Sequence, residues 1–402
     1  MKRLLVSLAI TLLVLAAQQP ARAQTSDSDF SAGYGYLPSG YGALASAQME
    51  MPTAPAPTPG MPGAGMSGPG LMGPAPVPQY QGDPSGFDLF APACGGVSWQ
   101  IVGEYLYLRP SNAEVTYAQV FDATTGVPFG RTGVSTPYYD TGFRVSAAAA
   151  LGDCAAIGVS YTYFDATVNS RLDASENPLG NVYPDSVVSS LVLHPLAVPV
   201  VNPNGEFATA SETIRFHLAD IDYKAALVSG PRYCANLVVG ARFLSLDQHF
   251  DSSVDIGAAT ADLMYTNVRF EGGGVRFGLE GERLSAASGF LVYGKGSASF
   301  VGGTARADYS QFNNTTDPYL VDTQWKSNRV ITMLDFEVGA GWASVDGRIR
   351  VTGGYMVSGW YNTVKLDRYI KAVQDGNPTL LNSPTENVLA FDGLVFRTEV
   401  RF

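Results

Sequence analysis

Residues 394–402 read LVFRTEVRF. In an extended chain, Leu394, Phe396, Thr398, Val400 and Phe402 fall on one side, and Arg397, Glu399 and Arg401 on the other. Successive side chains of a strand point to opposite faces. This strand therefore has one side for an apolar neighbour and one for a polar interior or water, and the sequence stops on an aromatic residue.

The same period of two runs back to residue 97 and predicts ten strands, over 97–108, 142–151, 155–164, 213–228, 237–246, 268–282, 290–301, 330–342, 348–357 and 394–402. Along 213–228 the pattern of apolar and polar residues inverts near 218–221. A β-bulge there would set Asp222 and Lys224 on the polar side. Gly152, Asp153 and Cys154 make a tight hairpin between the second and third strands. Short and long connections alternate along the chain. The pattern suits a barrel with tight periplasmic turns, long external loops and both termini on the periplasmic side. Twelve strands result if 114–122 or 304–317 holds a further hairpin.

Composition supports a membrane setting. Charged residues are 15%, against about 25% in a typical soluble domain. After residue 23 there is no run of about 20 apolar residues, and 191–201 is broken by His194, Pro195 and Pro199. Only helices and closed barrels satisfy every backbone polar group in lipid. A soluble β-sandwich would also alternate. It has little use, however, for Trp99, Tyr105, Tyr107, Tyr161, Tyr163, Trp342 and Tyr355 on its apolar faces, several of them near strand ends. The reading is an all-β, transmembrane, antiparallel up-and-down barrel over 94–402.

The first 23 residues have the pattern of a cleaved signal peptide: Lys2 and Arg3, an apolar stretch over 4–17, and Ala21-Arg22-Ala23 as the cleavage site. Residues 24–93 read as a disordered Pro/Gly/Met-rich periplasmic tether; residues 51–80 hold nine prolines and six glycines. Met51, Met61, Met66 and Met72 could bind copper(I), but no Cys or His stands among them, so no metal or cofactor is expected. The net charge of −11 becomes three units more negative when Lys2, Arg3 and Arg22 leave with the signal. That argues against nucleic acid as a partner and is compatible with acidic external loops. Cys94, Cys154 and Cys234 all fall at the periplasmic end, where a Cys94–Cys154 bridge is one pairing among the three available.

Little in the chain suggests catalysis. Residues 289–296 (GFLVYGKG) approach a phosphate-binding loop, but Gly296 stands where that loop needs Ser or Thr, and the strand pattern continues through it. His217 lies beside Arg215. His249 stands between Asp247 and Asp251, which could make it a general base; the plain reading is a solvated loop mouth. No enzymatic activity is expected. The expected lumen wall is charged: Glu104, Arg144, Arg215, Asp222, Lys224, Arg242, Arg276, Glu280, Lys295, Asp335, Glu337, Arg348, Arg350, Arg397, Glu399 and Arg401. Such a wall suits either a water-filled pore or a narrow barrel plugged by its own salt bridges.

Several segments in order resemble a known family. Residues 97–110 (VSWQIVGEYLYLRP), 240–248 (GARFLSLDQ), 270–283 (FEGGGVRFGLEGER), 290–303 (FLVYGKGSASFVGG) and 335–342 (DFEVGAGW) are similar to strands of the pore-forming outer-membrane proteins typified by the Legionella major outer-membrane protein. The resemblance covers residues 97–402 and implies a porin-like protein that passes small solutes or ions. It supplies no catalytic motif. Phe402 resembles the terminal aromatic read by the barrel-assembly machinery. Outer-membrane lipid is then a partner, with room for a homo-oligomer. A structural or adhesive surface barrel, using 165–211 as its contact surface, is the alternative.

Overall fold

The computed structural model describes residues 99–402 except 152–154, 177–185, 198–203, 231, 256–260, 286–287, 314–316, 346 and 384–386. The signal peptide, the tether, Cys94 and Cys154 lie outside the described residues. Ten strands close an antiparallel barrel: β1 (Trp99–Ser111), β4 (Asp140–Ala150), β5 (Ala155–Asp173), β8 (Phe207–Gly230), β9 (Tyr233–Asp255), β10 (Ala261–Leu284), β11 (Phe290–Asn313), β12 (Asp317–Ala343), β13 (Ile349–Tyr361) and β14 (Val388–Arg401). Each pairs with its neighbours along the chain. The first and last close the ring, from Gln100 opposite Arg401 to Ser111 opposite Ala390. Four more strands, β2 (Val115–Asp122), β3 (Pro128–Ser135), β6 (Ser186–Ser190) and β7 (Asn204–Gly205), form a separate sheet in the order β3-β2-β6-β7. The segment 114–122 thus supplies a strand outside the barrel, and 304–317 is mostly the upper part of β11; the barrel count is ten.

Strands β8 to β12 are 23 to 27 residues long. Crossing a bilayer takes about 9–11. Their excess explains two connections expected to be long. Only 256–260 separate β9 from β10, and 314–316 separate β11 from β12, because the strands themselves continue outward.

The inversion near 218–221 has a different cause from the expected bulge. The register of β8 against β5 and β9 is unbroken there, and its one shift lies at Ala226/Val228. Even-numbered residues from Ala208 to Asp222 all point inward. What changes is the medium. Below Ala219 the outward residues are apolar (Ile221, Tyr223) and the inward ones charged (Asp220, Asp222); above it the outward residues are polar (Arg215, Thr213) and the inward ones apolar (Ile214, Phe216, Leu218). The lower wall has lipid outside and a polar lumen. The upper wall has water outside and an apolar core. β9 repeats this: Leu237, Val239 and Phe243 outward with Arg242 inward, then Asp247 outward with Leu244 and Leu246 inward.

Close approach of neighbouring strands fixes some glycines. On β10, a Cβ at Gly274 would collide with the Phe300 carbonyl of β11.

Candidate functional site: the filled lumen

In the lower lumen, inward side chains pair across the barrel. Arg397 Nε meets Glu104 Oε1 at 2.7 Å while its Nη2 meets Glu337 Oε1 at 2.7 Å. Arg144 closes on the other Glu104 oxygen at 2.7 Å. One layer up, Arg242 bridges Asp220 and Asp335, each at 2.7 Å. Arg276 holds Asp222 at 2.6 Å and Asp220 at 3.1 Å. Toward the periplasmic end stand Lys224–Glu280 (2.8 Å), Arg350–Glu282 (3.0 Å) and Arg401–Glu399 (2.7 Å). Lys295 lies 3.8 Å from Glu337. Charges are expensive against lipid and cheap on an inward wall that pairs them, which is why the period-two pattern carries them here.

Fourteen of the sixteen residues expected in the lumen point into it. Arg215 and Arg348 do not. Arg215 is an outward residue of β8 above the lipid-facing band, paired with Asp165 at 2.7 Å; the supposed bulge had put it in the wrong phase. Arg348 is an exposed residue of the turn before β13. Sequence reasoning missed Asp220 and Glu282, both inward. Uninterrupted alternation from Phe216 through Lys224 would have found the first. With both included, the described lower lumen holds eight basic residues (Arg144, Lys224, Arg242, Arg276, Lys295, Arg350, Arg397, Arg401) and eight acidic ones (Glu104, Asp220, Asp222, Glu280, Glu282, Asp335, Glu337, Glu399). Such a wall has no net charge with which to select ions.

Among these groups lies a cavity of ≈ 160 Å³, bordered by Glu104, Arg144, Lys295 and Glu337, with Met356 and Trp360 above. That is on the order of the space one benzene-sized molecule occupies. Its roof is an aromatic cluster. Phe216 packs against Phe164, Phe391 and Trp360 with ring centres 5.3, 4.9 and 5.0 Å away. Above the roof sits a helix, α1 (Leu366–Gln374), from the β13–β14 connection. Sequence reading missed it inside a long loop. Its signals are Leu366, Tyr369, Ile370 and Val373 at helical spacing, and Gly376 (φ 58) just beyond its end. Leu366, Tyr369, Ile370 and Ala372 are buried, as are Val364 and Leu381 on either side. Polar contacts fix it: Gln248 donates to the Val364 carbonyl (2.7 Å), Tyr369 to the Ala307 carbonyl (3.0 Å), and Gln374 to the carbonyls of Leu191 and Leu193 (2.8 and 3.0 Å).

Glu212 lies seven residues beyond Ala219 on β8, well outside the bilayer, and is 1% exposed. Ser135 of β3 donates to one carboxyl oxygen at 2.7 Å; the other has no partner among the described residues. Burial pushes its pKa up to about 8, with Glu114 and Asp367 adding to the rise and Ser135 and Lys365 opposing it. A native pKa above the ordinary value means that the folded protein holds this proton more tightly than the unfolded chain. The stability it contributes is present below about pH 4.5 and is lost as pH rises through about 8. Glu212→Gln should therefore melt with wild type at pH 4 and above it at pH 9. Parallel melting curves across that range would refute the assignment.

His249 lies on the outward wall with its Nε2 3.0 Å from Asp251 Oδ2, a hydrogen bond that raises its pKa; Asp247 on the same wall is taken by Arg269 at 3.4 Å. His217 also faces outward, 2.7 Å from the Tyr161 hydroxyl. Neither histidine borders the lumen. Cys234 is buried at the periplasmic end and donates to Asn236 Oδ1 at 3.3 Å.

The family model of the Legionella pneumophila major outer membrane protein precursor matches residues 91–402. The chain belongs to that family. It is an outer-membrane barrel. No curated protein matches the sequence. Among solved structures, the outer membrane protease OmpT of Escherichia coli is similar at 11% identity and a TM-score of 0.41, covering 77% of this chain and 99% of OmpT. The toluene transporter TodX of P. putida gives 8% and 0.20 over 78% and 90%. A Pseudomonas aeruginosa FadL homologue gives 8% and 0.21 over 76% and 90%.

Proposed function

We propose that this family member is a pore-forming barrel held shut in the present conformation, with residues 362–383 as its gate. It acts by passage of small solutes, without a catalytic centre. One observation carries the reading: above the aromatic roof, the charged chamber is closed by a docked connection between strands, which can leave without breaking the barrel wall. Undocking exposes Val364, Leu366, Tyr369, Ile370 and Leu381. At about 2 kcal/mol each, the cost is at most about 10 kcal/mol. On that term alone the undocked state has a population of at least about 10⁻⁷ without a trigger.

A second reading has its own support. The lumen's equal numbers of basic and acidic residues and its continuous upper core also suit a permanently sealed barrel that presents its external sheet as a surface. Planar-bilayer recording separates the two. Wild type should be silent apart from rare openings. Replacing 364–382 by a short Gly/Ser linker, alone and with Trp360→Ala, should give steady current steps. Their reversal potential in a salt gradient should be near zero, because the wall is neutral. If both variants fold and insert but stay silent, the sealed barrel is the correct reading.

A further inference from the structure

We infer that the outer wall carries a binding site for a lipid whose saccharide headgroup bears more than one phosphate. The reason is a run of directly opposed positions: Arg215 with Asp247, Asp247 with Arg269, Arg269 with Arg306, and Arg306 with Lys326. All five residues point outward. At one end the charges alternate and pair. Toward β12, three cations stand side by side on three adjacent strands, about 4.8 Å apart per step. Like charges directly opposed weaken a sheet unless something neutralises them.

The described neighbours supply only part of that neutralisation. Other outward cations of the upper wall have carboxylates: Arg109 has Asp392 at 3.4 Å, Arg215 has Asp165 at 2.7 Å, and Arg269 shares Asp247 at 3.4 Å. Arg306 and Lys326 are exposed, and no described acid comes within ion-pair distance of either. Glu271 and Asp308 face the same wall, one alternate position below Arg269 and one above Arg306, so the site rests on register and not on bulk positive charge.

The height of the row selects the ligand. The last exposed apolar residues beneath it are Val275, Phe300 and Val330, four to six residues lower on their strands. With strands tilted by about 40°, that is about 10–15 Å above the apolar band. A phospholipid headgroup layer is only about 5–8 Å deep. Phosphates carried on a sugar reach higher.

The test uses the full mature chain in detergent micelles. The probes are lipopolysaccharide with a phosphorylated core, the same lipid after dephosphorylation, phosphatidylglycerol, and inorganic phosphate. The phosphorylated glycolipid should raise the melting temperature by several degrees and remain bound in native mass spectrometry. The dephosphorylated form should do neither. Arg306→Gln with Lys326→Gln should lower the apparent affinity at least tenfold, while the unliganded variant melts at or above wild type. Equal binding by the variant would overturn the proposal. So would an equal shift with phosphatidylglycerol or inorganic phosphate, which would mean attraction of any anion.

Discussion

Arg397→Leu should destabilise the barrel by about 3–5 kcal/mol, among the largest effects available from one substitution in the lumen. Arg397 holds Glu104 and Glu337 at 2.7 Å each, and the side chains of both glutamates are about 5% exposed. Their remaining partners are unequal. Arg144 stays on Glu104 at 2.7 Å, whereas Glu337 keeps only Arg144 and Lys295, both at 3.8 Å. Leucine fills most of the volume but leaves a buried carboxylate without a close cation. The loss should come from that stranded charge more than from any net worth of the pairs, since buried ion pairs often exceed an apolar replacement by little or nothing. Two variants separate these terms. Arg397→Leu alone should unfold at markedly lower denaturant. Arg397→Met with Glu104→Gln and Glu337→Gln should recover most of the loss, because no bare charge remains. If the single variant stays within 1 kcal/mol of wild type, the network is solvated and the lumen is wetter than its geometry indicates.

The same strands show what a sequence can and cannot reveal about such a barrel. Where the wall faces lipid, period-two alternation placed most of the lumen charges correctly, because apolar-outside and charged-inside is the expected sign of the pattern. Above Ala219 the sign reverses, and a reader who expects one sign must invent a bulge. The bulge puts Arg215 in the lumen and leaves Asp220 out of it, the reverse of the true arrangement. The upper parts of β9, β11 and β12 fall outside the expected strands for the same reason: Asp247, Arg306 and Lys326 are outward and polar, opposite to the pattern that marks a membrane strand. The closure of the lumen was less accessible still. It depends on a nine-residue helix within a 26-residue connection and on its docking against strands distant in sequence. Local spacing could have identified the helix; only the fold shows that it packs inside the barrel.

The roof between chamber and helix gives the other large effect. Trp360 is 1% exposed and packs on Phe216 and Phe391 with ring centres 5.0 and 4.9 Å away. Its indole N–H donates to Ser358 Oγ at 2.7 Å, and Ser358 in turn donates to Asp335, an acid of the charged layer. Trp360→Ala removes the ring, its packing and the donor that orients Ser358. Replacing a buried tryptophan by alanine typically costs about 3–5 kcal/mol, more where the surroundings cannot collapse into the gap. Here the wall is a closed hydrogen-bonded ring, which limits collapse, so the upper end of that range is expected in denaturant titrations. The vacated space adjoins the ≈ 160 Å³ chamber below. Trp360→Phe keeps an aromatic in the roof and should lose much less. If Trp360→Ala costs no more than Trp360→Phe, the aromatic roof is not what separates the charged chamber from the helix above it, and the closure proposed for this barrel would rest on α1 and its carbonyl contacts alone.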